Sequence, residues 1–255
     1  MSKREVCRVR FLGIEVDALA IPDLNTLIDQ AIKTNKTCII AHHNMHSLYL
    51  HRKDEAMRRF YSMAKFVHID GMALVFVGRL FGFHLERRHR VTYVDWTPVL
   101  VAKAAEQGWR IFYLGSKPEV AKQGAAILRQ RFPELEIGTS HGYFNSKPDG
   151  AENTEIVQKI NDFQPHILMV GMGMPRQEHW IMNNRDRLQV NVILPSGAAI
   201  DYVAGAVPTP PRWAGKIGLE WLFRLFSEPR RLWRRYLIEP VFICCSILIE
   251  YIRRS

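Results

Sequence analysis

The chain has 255 residues, of which 47% are hydrophobic and 24% are charged, and its formal net charge is +10. That length fits one large domain, or one domain with an appendage, and it allows a substantial core without disulfide bonds. The four cysteines show neither metal-ligand spacing nor a disulfide framework, so we expect a reducing compartment. The basic N-terminus lacks a continuous apolar core and a small-residue cleavage site, which predicts no signal peptide and a cytoplasmic location.

The positive charge is concentrated towards the C-terminus. Between Thr209 and Ser255 there are nine lysines or arginines against four acids, a net charge of +5 in 47 residues. Such a segment is attracted to a polyanion, which is either a nucleic acid or an anionic membrane surface.

The first half of the chain alternates between strand and helix patterns. RVRFLGIEVDAL predicts a β-hairpin around Gly13, and Asp23 is placed to cap a helix that continues to about Thr34. TCIIAHH predicts a strand, MHSLYLHRKDEAMRRFYSMA a helix, FVHI a short strand and GMALVFVGRLFG an apolar helix. The next helix begins at Thr92 or Asp95 and continues to Gln107, and Gly108 ends it.

The same alternation continues through the second half. RIFYLG predicts a strand, GSKPEVAKQGAAILRQRF a helix, ELEIGTSHGYF a strand with a loop, and NTEIVQKINDF a helix. PHILMV predicts a buried strand, WIMNNRDRL a helix and VNVILPSG a further strand that leads into GAAIDYVAG. Alternation of this kind predicts an α/β fold, with a Rossmann-like, mostly parallel sheet and helices on both faces.

The character of the sequence changes near Val207, where the proline-rich stretch PTPPRW follows. Beyond it the chain is aromatic, basic and helical. We therefore predict a Rossmann-like domain over residues 1–207 and a basic, amphipathic helical appendage over residues 208–255.

The most informative stretch is GMGMPRQEHW, residues 171–180, between a predicted strand and a predicted helix. Glycines at such a turn let the backbone approach a ligand, and the N-terminus of the helix offers unpaired N–H groups to anionic oxygens. Pro175 is placed to fix the start of the helix. The side chains able to recognise a ligand's hydroxyls are Arg176, Gln177 and Glu178. The alternative is a tight turn followed by a solvated first helical turn.

Asp70, in HIDG, lies between an apolar strand and an apolar helix. A carboxylate in that position is expected to be partly desolvated, which makes it a stronger proton acceptor. Because Asp is also a common helix N-cap, a purely structural role as the cap of the following helix is an equal alternative.

Other strand ends carry polar residues or glycines that should meet at one edge of a parallel sheet. They are His42, His43, Asn44, His46, Gly115, Ser196, Gly197 and Asp201. The histidine spacing does not match a compact zinc site, and no Asp-x-Asp pair is present to hold magnesium against a diphosphate. We therefore favour a mechanism without metal or cofactor, in which arginines and helix N-termini meet phosphate charge. Arg90 is one candidate, with a surface arginine in a basic loop as its alternative.

The appendage interleaves arginines with aromatic residues. Arg224, Arg231 and Arg235 would share one face of a helix if that helix passes Pro229. The closing apolar run VFICCSILI has nine residues, about half of the ~20 needed to span a bilayer. The segment is thus suited to lie in a membrane interface without crossing it. The alternative is a terminal helix packed on the core with its arginines in water.

Three motifs, in this order, resemble one known family. HIDG, GMGMPRQEHW and GLEWLFRLFSEPRRLWRRY are similar to motifs of the WecG/TagA/CpsF glycosyltransferases, glycosyltransferase family 26. The resemblance extends from about Phe11 to Tyr236. It implies an inverting, metal-independent transfer of a sugar from a UDP-sugar to an undecaprenyl-diphosphate-linked sugar, in exopolysaccharide or cell-envelope glycan synthesis. It also implies a peripheral or monotopic protein on the cytoplasmic face of the plasma membrane.

The resemblance also suggests roles for individual residues. Asp70 falls on the proposed general base, with His42 and Asn44 in the family's T-x-N strand end and Arg90 on a motif arginine. The implied substrate-binding residues are Gly115, Gly171, Gly173, Pro175, Gln177, Glu178, Ser196, Gly197 and Tyr93. Five arginines match the family's appendage, which is thought to meet the membrane and close over the active site: Arg212, Arg224, Arg231, Arg234 and Arg235.

The chain departs from the family pattern at four positions. His42 replaces the usual threonine, Tyr93 a glycine, Arg176 a lysine and Thr209 a basic residue. The first two are expected beside the donor and acceptor sugars. They favour a plain hexose such as glucose over N-acetylmannosamine, the commonest sugar of the family, although both types stay open.

Two other functions fit parts of the sequence. A Rossmann-type oxidoreductase would need G-x-G-x-x-G early in the chain with an acid ~20 residues later, whereas the glycines here come late and lack the third. A nucleic-acid-binding module is supported by charge alone, and the appendage has many apolar residues beside its arginines, so we expect no nucleic-acid partner. The sequence leaves the oligomeric state open, a homo-oligomer included.

Overall fold

The computed structural model describes residues 7–209, 211, 214 and 219–254, apart from the side chains of residues 220, 231, 253 and 254. A two-stranded antiparallel hairpin, β1 (Arg8–Phe11) and β2 (Ile14–Asp17), comes first. It is followed by six strands that form one parallel sheet: β3 (Cys38–His43), β4 (Phe66–Ile69), β5 (Ile111–Gly115), β6 (Ile137–Ser140), β7 (Ile167–Gly171) and β8 (Val192–Pro195). Their order across the sheet is β4-β3-β8-β7-β5-β6.

Helices connect the strands and cover both faces of the sheet. They are α1 (Ile21–Lys33), α2 (Met45–Lys53), α3 (Glu55–Met63), α4 (Met72–Leu80), α5 (Tyr93–Gln107), α6 (Pro118–Arg131), α7 (Ala151–Phe163), α8 (Arg176–Asn184) and α9 (Ala199–Val203). Side chains of a strand alternate between the two layers: Ile39 and Ala41 join one apolar cluster, whereas Cys38 and Ile40 join the other. The predicted Rossmann-like α/β fold is confirmed.

Several helix starts differ from the sequence prediction, and two of them involve an aspartate. The single helix expected after the third strand is interrupted at Asp54, whose backbone is extended and whose carboxylate caps α3 by accepting a hydrogen bond from the Ala56 N–H at 2.8 Å. Asp23 is the third residue of α1 and not its cap. Its carboxylate accepts a hydrogen bond from the Ala20 N–H at 2.9 Å, so Asp23 stabilises the N-terminus of α1 from within the first helical turn.

The appendage forms α10 (Glu220–Ser227), α11 (Pro229–Trp233), a π-helical turn (Arg234–Ile238) and α12 (Glu239–Arg254), here called the tail helices. The helix does not pass Pro229, because the ring has no N–H to donate and the chain turns at Glu228, where φ is −136°. Arg224 and Arg235 therefore lie on different helices, in contrast to the single face considered from the sequence.

The tail helices dock on the sheet domain through α12. Ile243 is fully buried in the core, and Glu239 lies 2.7 Å from Nδ1 of His46 on α2. Near the other end of α12, the Glu250 carboxylate accepts a hydrogen bond from the Leu12 N–H at 3.0 Å. None of the helices in the described part of the chain is both long and apolar enough to cross a membrane.

A buried polar network fixes α8, the helix that follows GMGMP. The Trp180 indole N–H donates to Asn153 Oδ1 at 2.7 Å, and Asn153 Nδ2 donates to Asn184 Oδ1 at 2.8 Å. All three residues are buried, so each group depends on the others for its hydrogen bonds. Asn153, on α7, thus holds α8 in place.

We predict that Asn153→Ala lowers the free energy of unfolding by about 2–4 kcal/mol, because it leaves the buried Trp180 N–H without its acceptor and removes the donor to Asn184 Oδ1. Urea unfolding followed by circular dichroism measures the change. Gln158→Ala, on the exposed side of the same helix, should stay within about 0.5 kcal/mol of the parent. Equal losses in the two variants would contradict this role of the network.

Candidate active site

A cavity of about 560 Å³ lies at the carboxyl ends of β3, β4, β7 and β8. At this edge β3 and β4, from the first part of the chain, border β8 and β7, from the later part. Ligands of open α/β sheets bind at such changes in strand order.

Four helices of nine or more residues begin at this cavity. Its wall includes residues at or beside the first turns of α2, α4, α5 and α8, namely Met45, Met72, Tyr93 and Met174. Helix N-termini carry partial positive charge and unpaired N–H groups. The backbone alone therefore makes the cavity favourable for an anionic group.

Asp70 lines the cavity and does not cap α4. The N-cap of α4 is Gly71, whose φ of +101° is a conformation that favours glycine, and no side chain caps this helix. The Asp70 carboxylate instead accepts a hydrogen bond from Asn44 Nδ2 at 3.1 Å, with His42 Nε2 at 3.9 Å. Its side chain is 25% exposed, which leaves it open to a ligand in the cavity.

Asn44 is held in a single orientation by its position. Its Oδ1 accepts a hydrogen bond from the Ser47 N–H at 2.9 Å and so caps α2, while the Ser47 hydroxyl oxygen accepts from the Asn44 N–H at 2.8 Å. With the amide oxygen engaged in the cap, the NH₂ group is directed to Asp70. The helix cap therefore orients the carboxylate.

An aromatic wall lies next to Asp70. The His42 ring lies 5.5 Å from His68 and 5.7 Å from Tyr93, centroid to centroid, and Trp96 packs behind at 5.5 Å from His68. Burial lowers the pKa of His42 and puts that of His68 well below its usual range, so both rings are neutral at pH 7. The Tyr93 hydroxyl is buried with no hydrogen-bond partner among the described residues.

Gln177 joins two loops of the cavity wall. Its Oε1 accepts hydrogen bonds from the N–H groups of Gly173 at 3.2 Å and Gly197 at 3.1 Å. Its Nε2 donates to Glu178 Oε1 at 2.8 Å. Both ends of the Gln177 amide are thus hydrogen-bonded within the protein. Glu178 is fully buried and lies behind the cavity wall.

The predicted glycines divide into two groups. Gly173 and Gly197 line the cavity, as does Ser196. Gly115 and Gly171 are paired in adjacent strands, and a Cβ on Gly171 would overlap the Tyr113 hydroxyl and the Gly197 carbonyl. These two glycines serve packing at the sheet edge and are not part of the cavity wall.

The tail helices form the roof of the cavity with Trp221, Arg224, Arg235, Tyr236 and Pro240. The Arg224 guanidinium stacks on Tyr202 at 5.6 Å and lies 3.8 Å from Glu228. Burial and the neighbouring Arg224 lower the pKa of Arg235, which nevertheless stays a cation because guanidinium groups do not lose their proton in proteins. Two cations therefore face a cavity that also contains Asp70.

Comparison with known proteins agrees with this architecture. The model of the glycosyl transferase WecG/TagA/CpsF family matches residues 9–255. The chain belongs to this family. Two relatives are N-acetylglucosaminyldiphosphoundecaprenol N-acetyl-beta-D-mannosaminyltransferases of Staphylococcus aureus, from strains MW2 and NCTC 8325 / PS 47. Each is 26% identical over 252 residues, which cover 95% of this chain and 93% of the relative. The match favours a transferase over the oxidoreductase and the nucleic-acid-binding module.

Several residues suggested by the family motifs are not among those that line the cavity. Arg90 donates to Asp95 at 2.8 Å and is not among the lining residues, and Pro175, the N-cap of α8, is also outside the lining. Arg234 is exposed and stacks on Trp233 at 5.2 Å. Arg212 and the side chain of Arg231 lie outside the described residues.

The cavity also contains residues that the sequence reasoning missed. Tyr202, Trp221 and Tyr236 line it, and His68 lies behind His42. His68 could have been found, because it stands two residues before Asp70 and side chains of a strand share a face at that spacing. In the described part of the chain, no three or more His, Cys, Asp or Glu side chains are grouped to hold a metal ion.

Burial raises the pKa of Glu178 from 4.5 to about 7, with the Gln177 hydrogen bond opposing the rise. Since the folded pKa exceeds the unfolded one, its contribution to stability is complete below pH 4.5 and is lost as the pH rises through 7. We predict that Glu178→Gln matches the parent at pH 4 but is more stable at pH 8 by about 3 kcal/mol, at about 1.4 kcal/mol per pKa unit.

Chemical unfolding at a series of pH values checks this prediction. Glu155→Gln, on the exposed side of α7, is the matched control, and its curve should run parallel to that of the parent. A constant difference between Glu178→Gln and the parent from pH 4 to pH 8 would exclude the titration of Glu178.

Proposed function

We propose that the protein transfers a hexose from a UDP-sugar to a polyprenyl-diphosphate-linked sugar, with inversion and without a metal ion. The observation that carries this proposal is the Asp70 carboxylate, oriented by Asn44 in a cavity with helix N-termini around it and two arginines above. The names of the relatives state a sugar diphosphate on undecaprenol as their acceptor, and we extend that class to this chain.

Asp70 acts as the general base in the proposed reaction. An acceptor hydroxyl attacks the anomeric carbon, the bond from that carbon to the UDP oxygen breaks, and the hydroxyl proton passes to Asp70. One displacement of this kind inverts the anomeric configuration. Asn44 serves as a positioning residue, because its N–H donor fixes one carboxylate oxygen.

The charge that develops on UDP is met by groups already in place. The N-termini of α2, α4, α5 and α8 supply partial positive charge, and Arg224 and Arg235 supply full charges. Because these groups are fixed before the reaction, little reorganisation accompanies the departure of the diphosphate. This arrangement supports chemistry that needs no metal ion.

The wall beside Asp70 supports a plain hexose. His42 and Tyr93 line the cavity beside Asp70 with large rings, which take up space around the carboxylate. This wall favours a compact sugar such as glucose over one with a bulky acetamido group. N-acetylmannosamine, the sugar named for the relatives, is the second candidate.

The tail helices support a place on the cytoplasmic face of the plasma membrane. Val241 and Ile252 on α12 are each 64% exposed, and Leu237, Leu248 and Ile249 are also exposed. Arg230 and Arg234, both exposed, supply positive charge on the same segment. Apolar helix faces flanked by arginines bind anionic bilayer interfaces.

We predict that Asp70→Asn lowers kcat about 10²–10⁴-fold, because the amide cannot accept the hydroxyl proton. A screen of UDP-sugars against lipid-diphosphate-sugar acceptors, scored by product mass, first identifies the donor, and turnover is then measured with that pair. Asp29→Asn, on α1 away from the cavity, should leave turnover unchanged. A near-normal rate for Asp70→Asn would remove Asp70 from the role of base, and no product with any donor would refute the proposed function.

We also predict that Val241→Gln with Ile252→Gln weakens binding to anionic liposomes about tenfold or more, because two exposed apolar side chains are lost from the interface. Co-sedimentation with liposomes measures this binding. The control pair Val99→Gln with Ile127→Gln changes two exposed apolar residues on α5 and α6 and should have no effect. Unchanged sedimentation of the α12 variant would contradict membrane binding by this face.

A further inference from the structure

The side of α4 that faces solvent carries two large apolar side chains. Phe76 is 50% exposed and Leu80 is 53% exposed, and they lie four residues apart, so they share one side of the helix. The opposite side of α4 is buried in the core. On the other helices of the described sheet domain, exposed large apolar side chains occur singly, as Val99 on α5 and Ile127 on α6.

Positive charge surrounds this face of α4. Arg79, on α4 itself, is exposed, and so are Arg87 and Arg88 in the 3₁₀ turn that packs on α4. The acid nearest to them in the sequence, Glu86, pairs with Arg88 at 2.6 Å and leaves the other two arginines to give the face a positive charge. Apolar helix faces with a cationic rim match the surface of an anionic bilayer.

The exposed face of α4 begins at the opening of the cavity. Ala73, the first exposed residue of α4, lines the cavity, and Pro240 at the start of α12 lines it too. Both helices therefore run away from the cavity. Near their far ends, the rings of Phe81 and Tyr251 lie 6.4 Å apart, centroid to centroid.

The apolar faces of α4 and α12 point to the same side of the molecule. Successive helical residues are about 100° apart. Phe81 thus lies about a quarter turn from the buried side of α4, and Tyr251 lies about a quarter turn from the buried side of α12 in the opposite sense. Helices that run in a common direction meet in this way when both bury the side that faces one core. The face of α4 therefore points outward with Val241 and Ile252 of α12.

We propose that α4 is a second membrane-binding element, which contacts an anionic bilayer through Phe76 and Leu80 with the three exposed arginines around them. The inference rests on the membrane location in the proposed function and adds the sheet domain to the surface that binds. With α4 and α12 both on the bilayer, the cavity opens between two membrane-bound helices. A lipid-linked acceptor then enters the cavity while its hydrocarbon chain stays in the bilayer.

A second copy of the chain fits this face less well than a bilayer does. A two-fold interface brings the same patch of both copies together. The exposed arginines of one copy would then face those of the other, and such like-charge contacts oppose association. Anionic lipid headgroups instead attract the same arginines.

A fluorophore on α4 tests the contact directly. The exposed Cys7, Cys244 and Cys245 are first replaced by alanine. The buried Cys38 stays, because burial raises the pKa of its thiol and keeps it unreactive. Leu80→Cys is then labelled with nitrobenzoxadiazole and mixed with vesicles of phosphatidylglycerol and phosphatidylcholine. We expect the emission of the dye to become stronger and to shift to the blue as the dye enters the bilayer.

Matched variants separate this contact from a general effect. Ile127→Cys, labelled in the same background, should keep the emission of the dye in water. Phe76→Ser with Leu80→Ser should weaken co-sedimentation with these vesicles about tenfold or more, since two apolar side chains are lost from the interface. The control pair Val99→Ser with Ile127→Ser should sediment as the parent does.

Three results would overturn the proposal. The first is unchanged emission from the dye at position 80 while the protein sediments with the vesicles, which would leave the tail helices as the binding surface. The second is failure of the protein to sediment with the vesicles at all. The third is a blue shift that depends on protein concentration without vesicles, which would assign the face to a second copy.

Sugar transfer is measured separately, in detergent without vesicles. No transfer, with the blue shift at position 80 intact, would refute the proposed reaction and leave α4 supported as a membrane contact. Normal transfer with no blue shift on bound vesicles would refute the role of α4 and leave the proposed reaction standing.

Discussion

The hydrogen bond from Asn44 Nδ2 to Asp70 Oδ2 is the interaction on which the proposed site depends. It joins the ends of two adjacent parallel strands, and it exists because Asn44 is also the cap of α2, so that its amide has only one useful orientation. Gly71 provides the other half of the arrangement. Its positive φ turns the chain into α4 directly after Asp70, which releases the carboxylate from capping the helix.

The tail helices complete the cavity. They place Arg224 and Arg235 above Asp70, and they are anchored by Glu239 against His46 and by Ile243 in the core. A roof that carries cations suits a diphosphate, while the exposed outer face of the same helices suits a bilayer. One segment thus links the proposed chemistry to the surface where a lipid-linked acceptor resides.

The site also contains groups that do not serve the stability of the fold. Glu178 is a buried carboxyl with its pKa raised to about 7, and the Tyr93 hydroxyl is buried without a partner among the described residues. Buried polar groups of this kind lower the stability of the fold, and they occur preferentially at functional sites, where a ligand requires them. Tyr93 lines the cavity and Glu178 lies directly behind its wall, which supports this cavity as the place of the reaction.

The sequence by itself determined the parallel α/β fold, the position of Asp70 at a strand end and the presence of an amphipathic tail, because apolar periodicity and turn residues are local signals. It did not determine that the Gln177 amide oxygen accepts hydrogen bonds from two loops, or that Gly171 is needed for close packing. Nor could it show that Arg90 pairs with Asp95, whereas Arg235 lines the cavity. Those outcomes depend on which residues of distant strands and helices become neighbours. Only the tertiary structure decides this, because hydrogen bonds and burial act between segments that are far apart in the chain.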